Sequence, residues 1–469
     1  MKDLKDLLIY KRLSKSTVSR SAPINEFYSD RSRIIYCSSF RRLQQKAQVF
    51  SLEPNASVRT RMTHSLEVAD IGRTLANEIA YELCRKELLS SCKVPSIVTI
   101  VENACLLHDI GNPPFGHFGE IAIQDWAKEN IKILAKGLGI PKNGNFEKLM
   151  SDFYEFDGNP QGFRAVTKLH AERDEYGLNL TYATLMCSLK YVRAAGEKCG
   201  KSITKKAGYF QTEKSLVESI YNEMEMDLHT RYPLTYIMEA ADDISYCLSD
   251  ISDGIEKRII TINDFIDGFK EIWRKDYPSE KCPVKIPKMK DIYNFSLSIA
   301  IPWSKQAIND AANNFIDNYS EFLCGKADQL IPCDGMGKVL ETIKQFSRTR
   351  LYTSLEAESI ELTGYAVMTG ILRHFQRLLV LPHDKFEKLL SHNVRPSELA
   401  YEIRLFNQLG NRCVKSYNFE LDKIKGDKKF TVIEWWLRVH LLIDHISGMT
   451  DEFALQTYQM LEGIELLRI

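Results

Sequence analysis

Much that would classify this chain quickly is missing from it. No two of its eleven cysteines, scattered from Cys37 to Cys413, form a C-x-x-C pair, which excludes a zinc ribbon and a thioredoxin-type redox motif. An odd number of dispersed thiols reads as small buried hydrophobes in a reducing compartment, so the expected location is cytoplasmic. No run approaches 18 uninterrupted apolar residues, and no membrane-spanning helix is expected. The opening MKDLKDLLIYKRLSKS breaks every short apolar run with charge and does not read as a signal peptide. Excess charge is also absent: 62 Lys and Arg balance 62 Asp and Glu. That excludes a protein coating nucleic acid over its whole surface, but not one with a local basic groove. Only 24 glycines and 15 prolines occur in 469 residues, too few for a disordered or fibrous chain. No repeat of 20–50 residues is visible.

What fills the chain is helical periodicity. Leu66, Ala69, Ile71, Leu75, Ile79 and Leu83 recur at helical spacing between charged residues. Similar patterns occupy 97–107, 118–135, 214–228, 234–256, 305–325, 355–381 and 432–446. Alternation of the strand type is rare. The best case, 416–421 and 429–433 around Gly426-Asp427, reads as one small β-hairpin. Segments 136–145 and 277–290, rich in Gly, Pro and Lys, are expected to be irregular without being flexible linkers. Trp435-Trp436 reads as packing. Lys201, Lys205, Lys206 and the lysines from Lys425 to Lys429 read as solvated loop charges. The expectation is an all-α fold, a single domain over 1–469.

Chemistry-bearing residues cluster early. His64 stands where a long helix opens. His108-Asp109 ends an apolar helix and runs into Ile-Gly-Asn-Pro-Pro-Phe-Gly, whose prolines and glycines stop that helix at once. An adjacent His-Asp pair at such a break can aim both side chains at one spot. His117 and Glu120 follow, three apart and so on one helical face. Asp242, Tyr246 and Asp250, at i, i+4 and i+8, form a polar stripe on a later helix. Two imidazoles and two carboxylates suit a hard-to-borderline divalent ion (Mn²⁺, Mg²⁺, Fe²⁺ or Co²⁺) and not a thiolate zinc site. A single helical histidine is more often core or cap than ligand. The ordered set carries the argument: His on one helix, His-Asp ending another, Asp on a third.

That order is the signature of the HD phosphohydrolase superfamily. The blocks DRSRIIYCSSFRRLQ from Asp30, RTRMTHSLEV from Arg59, HDIGNPPFGHFGE from His108, EAADDISY from Glu239 and SGMTD from Ser447 resemble the bacterial deoxyguanosinetriphosphate triphosphohydrolases (dGTPases). NPQGFR from Asn159 and LTYATL from Leu180 resemble the enterobacterial branch. The resemblance implies an HD-domain helical bundle enlarged by helical insertions, with the metal core at about 59–250 and a helical C-terminal part at about 260–469. It places the metal ligands on His64, His108, Asp109 and Asp242. Asp243 is the rival for the fourth place, and Asp242 is preferred because the family pairs its metal Asp with a Tyr four later and an Asp eight later. It gives Gln48, Val49, Arg61, Lys190, Tyr191, Tyr246 and Asp250 to the substrate, and general acid/base work to His117 with Glu120. Ala47, where relatives often carry Thr, is a small departure. The implied reaction hydrolyses dGTP, at the α-phosphorus, to deoxyguanosine and triphosphate with one divalent ion per subunit. The implied partners are dNTP substrates, further copies of the chain (a hexamer in the enterobacterial branch) and single-stranded DNA. The competing readings are an HD phosphodiesterase or nuclease, and a non-catalytic sensor of nucleotides or single-stranded DNA.

Overall fold

The computed structural model describes residues 2–170, 175–200, 202–287, 291–395, 397–427 and 429–464. Among these, α-helices make up nearly all regular structure. The strands are two short parallel pieces, Arg193–Ala194 and Ala207–Tyr209. None of the described helices is long and apolar enough to cross a membrane. Lys201, Lys428 and the last three residues of 277–290 lie outside the described residues.

The first body of core is built on three long helices, Arg61–Arg85, Val94–Leu107 and Pro233–Glu256. The Val94–Leu107 helix is apolar nearly all round and is buried accordingly. Ile24–Tyr36 packs against it, and Ile292–Asp317 packs against the other two long helices. Gly72 sets the distance between the first two helices, because a Cβ there would stand 2.6 Å from Cys105 Sγ. That close approach carries the residues at the helix ends, His64 and His108, towards each other.

The second body joins Gly116–Gly137 and Gly144–Tyr154 to the C-terminal helices Leu355–Phe375, Phe430–Ser447 and Asp451–Leu461. Trp435 and Trp436 are buried within it, as their apolar setting requires. A buried ion pair crosses it: Arg164 forks onto Asp444, with NH2 to Oδ2 at 2.7 Å and Nε to Oδ1 at 2.9 Å, and NH1 reaches Glu213 at 3.2 Å. Removing one partner of such a pair strands a buried charge. Asp444→Asn is expected to lower unfolding free energy by about 3 kcal/mol. Urea titration would measure this, and an unmoved midpoint would contradict it.

The hairpin at 416–433 is not formed. Residues 416–421 lie inside the helix Asn411–Lys423, and 430–433 begin Phe430–Ser447. Gly426, at φ 88°, lies between the two helices. Tyr417 donates to Glu434 at 2.6 Å, which pins one helix to the other. Six residues of alternation fit a helix face as readily as a strand, and here the buried partners decided.

Candidate active site

Two helix ends and the middle of a third helix deliver the central cluster. Thr60 caps Arg61–Arg85: its hydroxyl accepts the Thr63 N–H, and the Thr63 hydroxyl accepts the Thr60 N–H. His64 follows in the first turn and is fully buried. His108 closes Val94–Leu107, and its Nδ1 lies 2.6 Å from the Cys105 carbonyl. Only a ring N–H can make that bond, which turns Nε2 towards the cluster. Asp109 accepts from Arg61 NH1 at 2.9 Å on Oδ1. Asp242 comes from the middle of Pro233–Glu256. Its Oδ1 lies 3.4 Å from His64 Nε2 and 3.6 Å from His108 Nε2. Asp243 turns away and pairs with Lys344 at 3.1 Å.

The donor set suits a divalent cation. Ligand atoms of His64, His108 and Asp109 lie within 4.8 Å of one another. His108 Nε2 and Asp109 Oδ2 are buried without a hydrogen-bond partner among the described residues, a costly state that a bound cation relieves. Burial pushes both carboxylates up, but their neighbours outweigh it. Arg61 and His108 hold Asp109 below the usual range, and His108 and Lys190 hold Asp242 well below it. Both are therefore ionised, as ligands must be.

Beside the cluster opens a cleft of about 570 Å³. Gln48, Val49, Arg61, Asp109, His117, Glu120, Asp242 and Tyr246 all line it. His117 enters after a sharp turn in which Phe115 has φ 59° and donates its N–H to Asp451 at 3.1 Å. Its side chain is 70% exposed, so a ligand can reach it. Nδ1 lies 3.0 Å from Glu120 Oε2, and that bond raises the imidazole pKa. Glu120 is buried, and its other oxygen accepts the Gly158 N–H at 2.7 Å. Asp250 is buried behind the wall with its pKa pushed up to about 7 by burial. Lys190 Nζ lies 3.4 Å from Asp242 Oδ2 and 3.8 Å from Glu239. Tyr191 is buried and is not part of the cleft wall.

The family model for the HD domain matches residues 61–143, the stretch carrying His64, His108, Asp109, His117 and Glu120. The chain is 35% identical to the deoxyguanosinetriphosphate triphosphohydrolase of Enterobacter sp. (strain 638), over 94% of both chains. It is 34% identical to the protein of the same name from Salmonella typhimurium, again over 94% of both. The chain belongs to the deoxyguanosinetriphosphate triphosphohydrolase family. Family membership accounts for the ordered blocks from residue 30 to 451 in one chain.

Some residues of this dGTPase-type cleft escaped the sequence reading. The Tyr352 hydroxyl hydrogen-bonds both the Tyr246 hydroxyl, at 2.6 Å, and Asp250 Oδ2, to which it donates, joining two members of the stripe. It lies in an unremarked loop, and nothing in its sequence setting marks it. Lys206 is exposed in its loop, as read, but it is more than a solvated charge. It lines the cleft and donates to Asp157 at 2.5 Å. Glu361 and Asn112 also line the cleft. Arg61 bonds Asp109, and it is Arg59 that holds Glu67, at 2.8 Å.

Proposed function

We propose that this protein is a metal-dependent dNTP triphosphohydrolase that hydrolyses dGTP to deoxyguanosine and inorganic triphosphate. One observation carries the reading: a cleft that brings a two-imidazole, two-carboxylate cluster beside an exposed, carboxylate-oriented His117, in a chain of this family. His64, His108, Asp109 and Asp242 would hold one divalent ion per subunit, Mn²⁺ or Mg²⁺ before Co²⁺ or Fe²⁺. When bound, such an ion supplies Lewis-acid polarisation of an α-phosphate oxygen and acidification of water.

The chain's own groups do the rest. Arg61 presents a guanidinium fork to phosphate oxygens, and Lys190 adds positive charge beside Asp242. Gln48 Oε1, buried without a partner among the described residues, is available to a sugar hydroxyl, and Val49 crowds the 2′ position. Tyr246 and Tyr352 meet the sugar from the other side, and Asp250 holds Tyr352 from behind the wall. Glu120 accepts from His117 Nδ1, which leaves Nε2 to exchange a proton with the reacting oxygen. Tyr191, which the family resemblance gives to the substrate, is buried off the cleft wall and has no direct role in this reading. The same reading takes the chain as one domain over 1–469, cytoplasmic, a homo-oligomer (six copies by family resemblance), with single-stranded DNA as a further partner. Asp451 bonding Phe115 and Ala47 supports the single domain, because it ties the C-terminal helices to the cleft.

The test is incubation with each dNTP and each NTP plus Mn²⁺ or Mg²⁺, products resolved by ion exchange. Triphosphate and nucleoside, formed fastest from dGTP, support the reading. Cleavage of cyclic or polymeric nucleotides instead would favour an HD phosphodiesterase or nuclease, and binding without turnover would favour a sensor.

Two variants probe recognition. Arg61→Lys keeps the charge and loses the fork, and is expected to reduce kcat/KM at least about tenfold with an unchanged melting curve. Unaltered steady-state kinetics would remove Arg61 from the phosphate site. Gln48→Ala or Val49→Gly is expected to raise the GTP-to-dGTP ratio of kcat/KM by about tenfold or more, because sugar reading rests on exclusion and on paired polar groups. Equal hydrolysis of GTP and dGTP by the unmodified protein would contradict this sugar pocket.

A further inference from the structure

A second cavity, of about 580 Å³, lies behind the cleft. Its lining includes Arg42, Lys46, Arg412, Ser447, Gln161 and Asp444. Asp444 is the only carboxylate among the described lining residues, and Arg164 and Gln161 already occupy both its oxygens. Asp451, behind Lys46, is likewise taken up by the Phe115 and Ala47 N–H groups. Arg42 makes only long bonds to hydroxyls, to Ser39 at 3.2 Å and Ser38 at 3.5 Å, with no carboxylate among its described partners. Arg412 donates to Ser38 as well, so two guanidiniums converge on one short segment. Both histidines in the lining are neutral near pH 7 and leave this charge unchanged. Burial and the two arginines hold His170 at about 3, and burial and Arg42 hold His445 at about 4.

The cavity also has polar groups that lack partners. Ser447 Oγ and Gln161 Oε1 are buried and unbonded among the described residues. A Cβ at Gly448 would stand 2.9 Å from the Asp444 carbonyl oxygen and 3.9 Å from Arg42 NH2, so glycine lets the backbone pack closely beside Arg42. Apolar groups, among them Leu169, Met449 and Phe453, complete the wall. A concave site with convergent cationic donors and apolar walls matches an anion carried on an organic body.

We propose that this cavity is an effector site for a small phosphate monoester, with the phosphoryl group between Arg42 and Ser447, and that its occupancy changes turnover in the cleft. The link is short. Lys46 Nζ donates to the Ser447 carbonyl at 2.9 Å and the Asn112 carbonyl at 2.5 Å. The Lys46 carbonyl accepts the Arg61 N–H at 2.9 Å. Arg61 and Asn112 both bond Asp109 Oδ1. An anion that draws on Lys46 or orders Ser447 therefore bears on the groups that hold Asp109. The binding half of the proposal is independent of the activity proposed above, and the regulatory half rests on it.

The test titrates the metal-loaded protein calorimetrically with inorganic phosphate and, separately, with dGMP. Tighter binding of dGMP identifies an organic phosphate as the ligand, and equal or tighter binding of inorganic phosphate overturns the organic-body assignment. The unmodified protein is expected to show a class of sites that Arg42→Gln weakens at least about tenfold, the scale for a lost charge-assisted bond. Arg42→Lys, kept in case Arg42→Gln fails to fold, is expected to weaken it less. Basal kcat of Arg42→Gln should match the unmodified protein, while the change in kcat on adding the probe should vanish. Identical isotherms for Arg42→Gln and the unmodified protein overturn the site. Binding lost in Arg42→Gln, with no probe effect on kcat in the unmodified protein, overturns the regulatory half.

Discussion

His108→Ala is expected to leave the fold intact, abolish stoichiometric divalent-ion binding and lower turnover by about 10³-fold or more, the scale on which a preorganised electrostatic stabiliser acts. The argument starts from the ring. His108 ties Nδ1 to the Cys105 carbonyl and points Nε2 at Asp242 and Asp109, at 3.6 and 3.5 Å. Alanine removes one donor of four and leaves two buried carboxylates facing each other with less positive charge between them. The fold should survive, because the His64 and His108 helices are held by apolar packing on both sides of Gly72. Metal content by elemental analysis, read beside a melting curve, checks this. A variant that keeps a full equivalent of ion would remove His108 from the ligand set.

His117→Ala is expected to keep the ion and bind substrate normally, yet lower kcat by about 10²- to 10⁴-fold, the range for loss of a general acid or base. The distinction from His108 is spatial. His117 is exposed in the cleft and, among the described residues, hydrogen-bonded through its ring to Glu120 alone, outside the buried cluster. Near-normal kcat would falsify the assignment. A pH profile sharpens it. The bond to Glu120 raises the His117 pKa. If protonated His117 is the form that acts, activity is full at low pH and lost as pH rises through that raised value. Glu120→Gln removes the carboxylate, so the alkaline limb should move to lower pH. An unmoved limb would assign it to another group.

How much of this the sequence carried depended on how local each feature was. His64, His108, Asp109 and Asp242 sit on helix ends and stripes that short-range spacing describes, and the structure sets the first three within 4.8 Å of one another with Asp242 3.4 and 3.6 Å from the two imidazoles. Asp242 and Asp243 differ by about 100° around one helix, enough to send one to the histidines and the other to Lys344. Tyr352 could not be found this way, because its link to Tyr246 and Asp250 spans about a hundred residues and no periodicity encodes it. Lys206 is the exposed loop charge it was read as, but its bond to Asp157 and its place in the cleft wall are long-range features that no local spacing encodes. The hairpin error at 416–433 came from a run too short to separate a period of 2 from one of 3.6.

The measurement that bears most directly on the central claim is hydrolysis of dGTP in ¹⁸O-labelled water, with both products analysed by mass spectrometry. Attack of water on the α-phosphorus, with release of the 5′ oxygen, predicts one ¹⁸O in each triphosphate and none in deoxyguanosine. The cluster variant His108→Ala should yield neither product. Release of pyrophosphate with dGMP, or label in the nucleoside, would contradict the account.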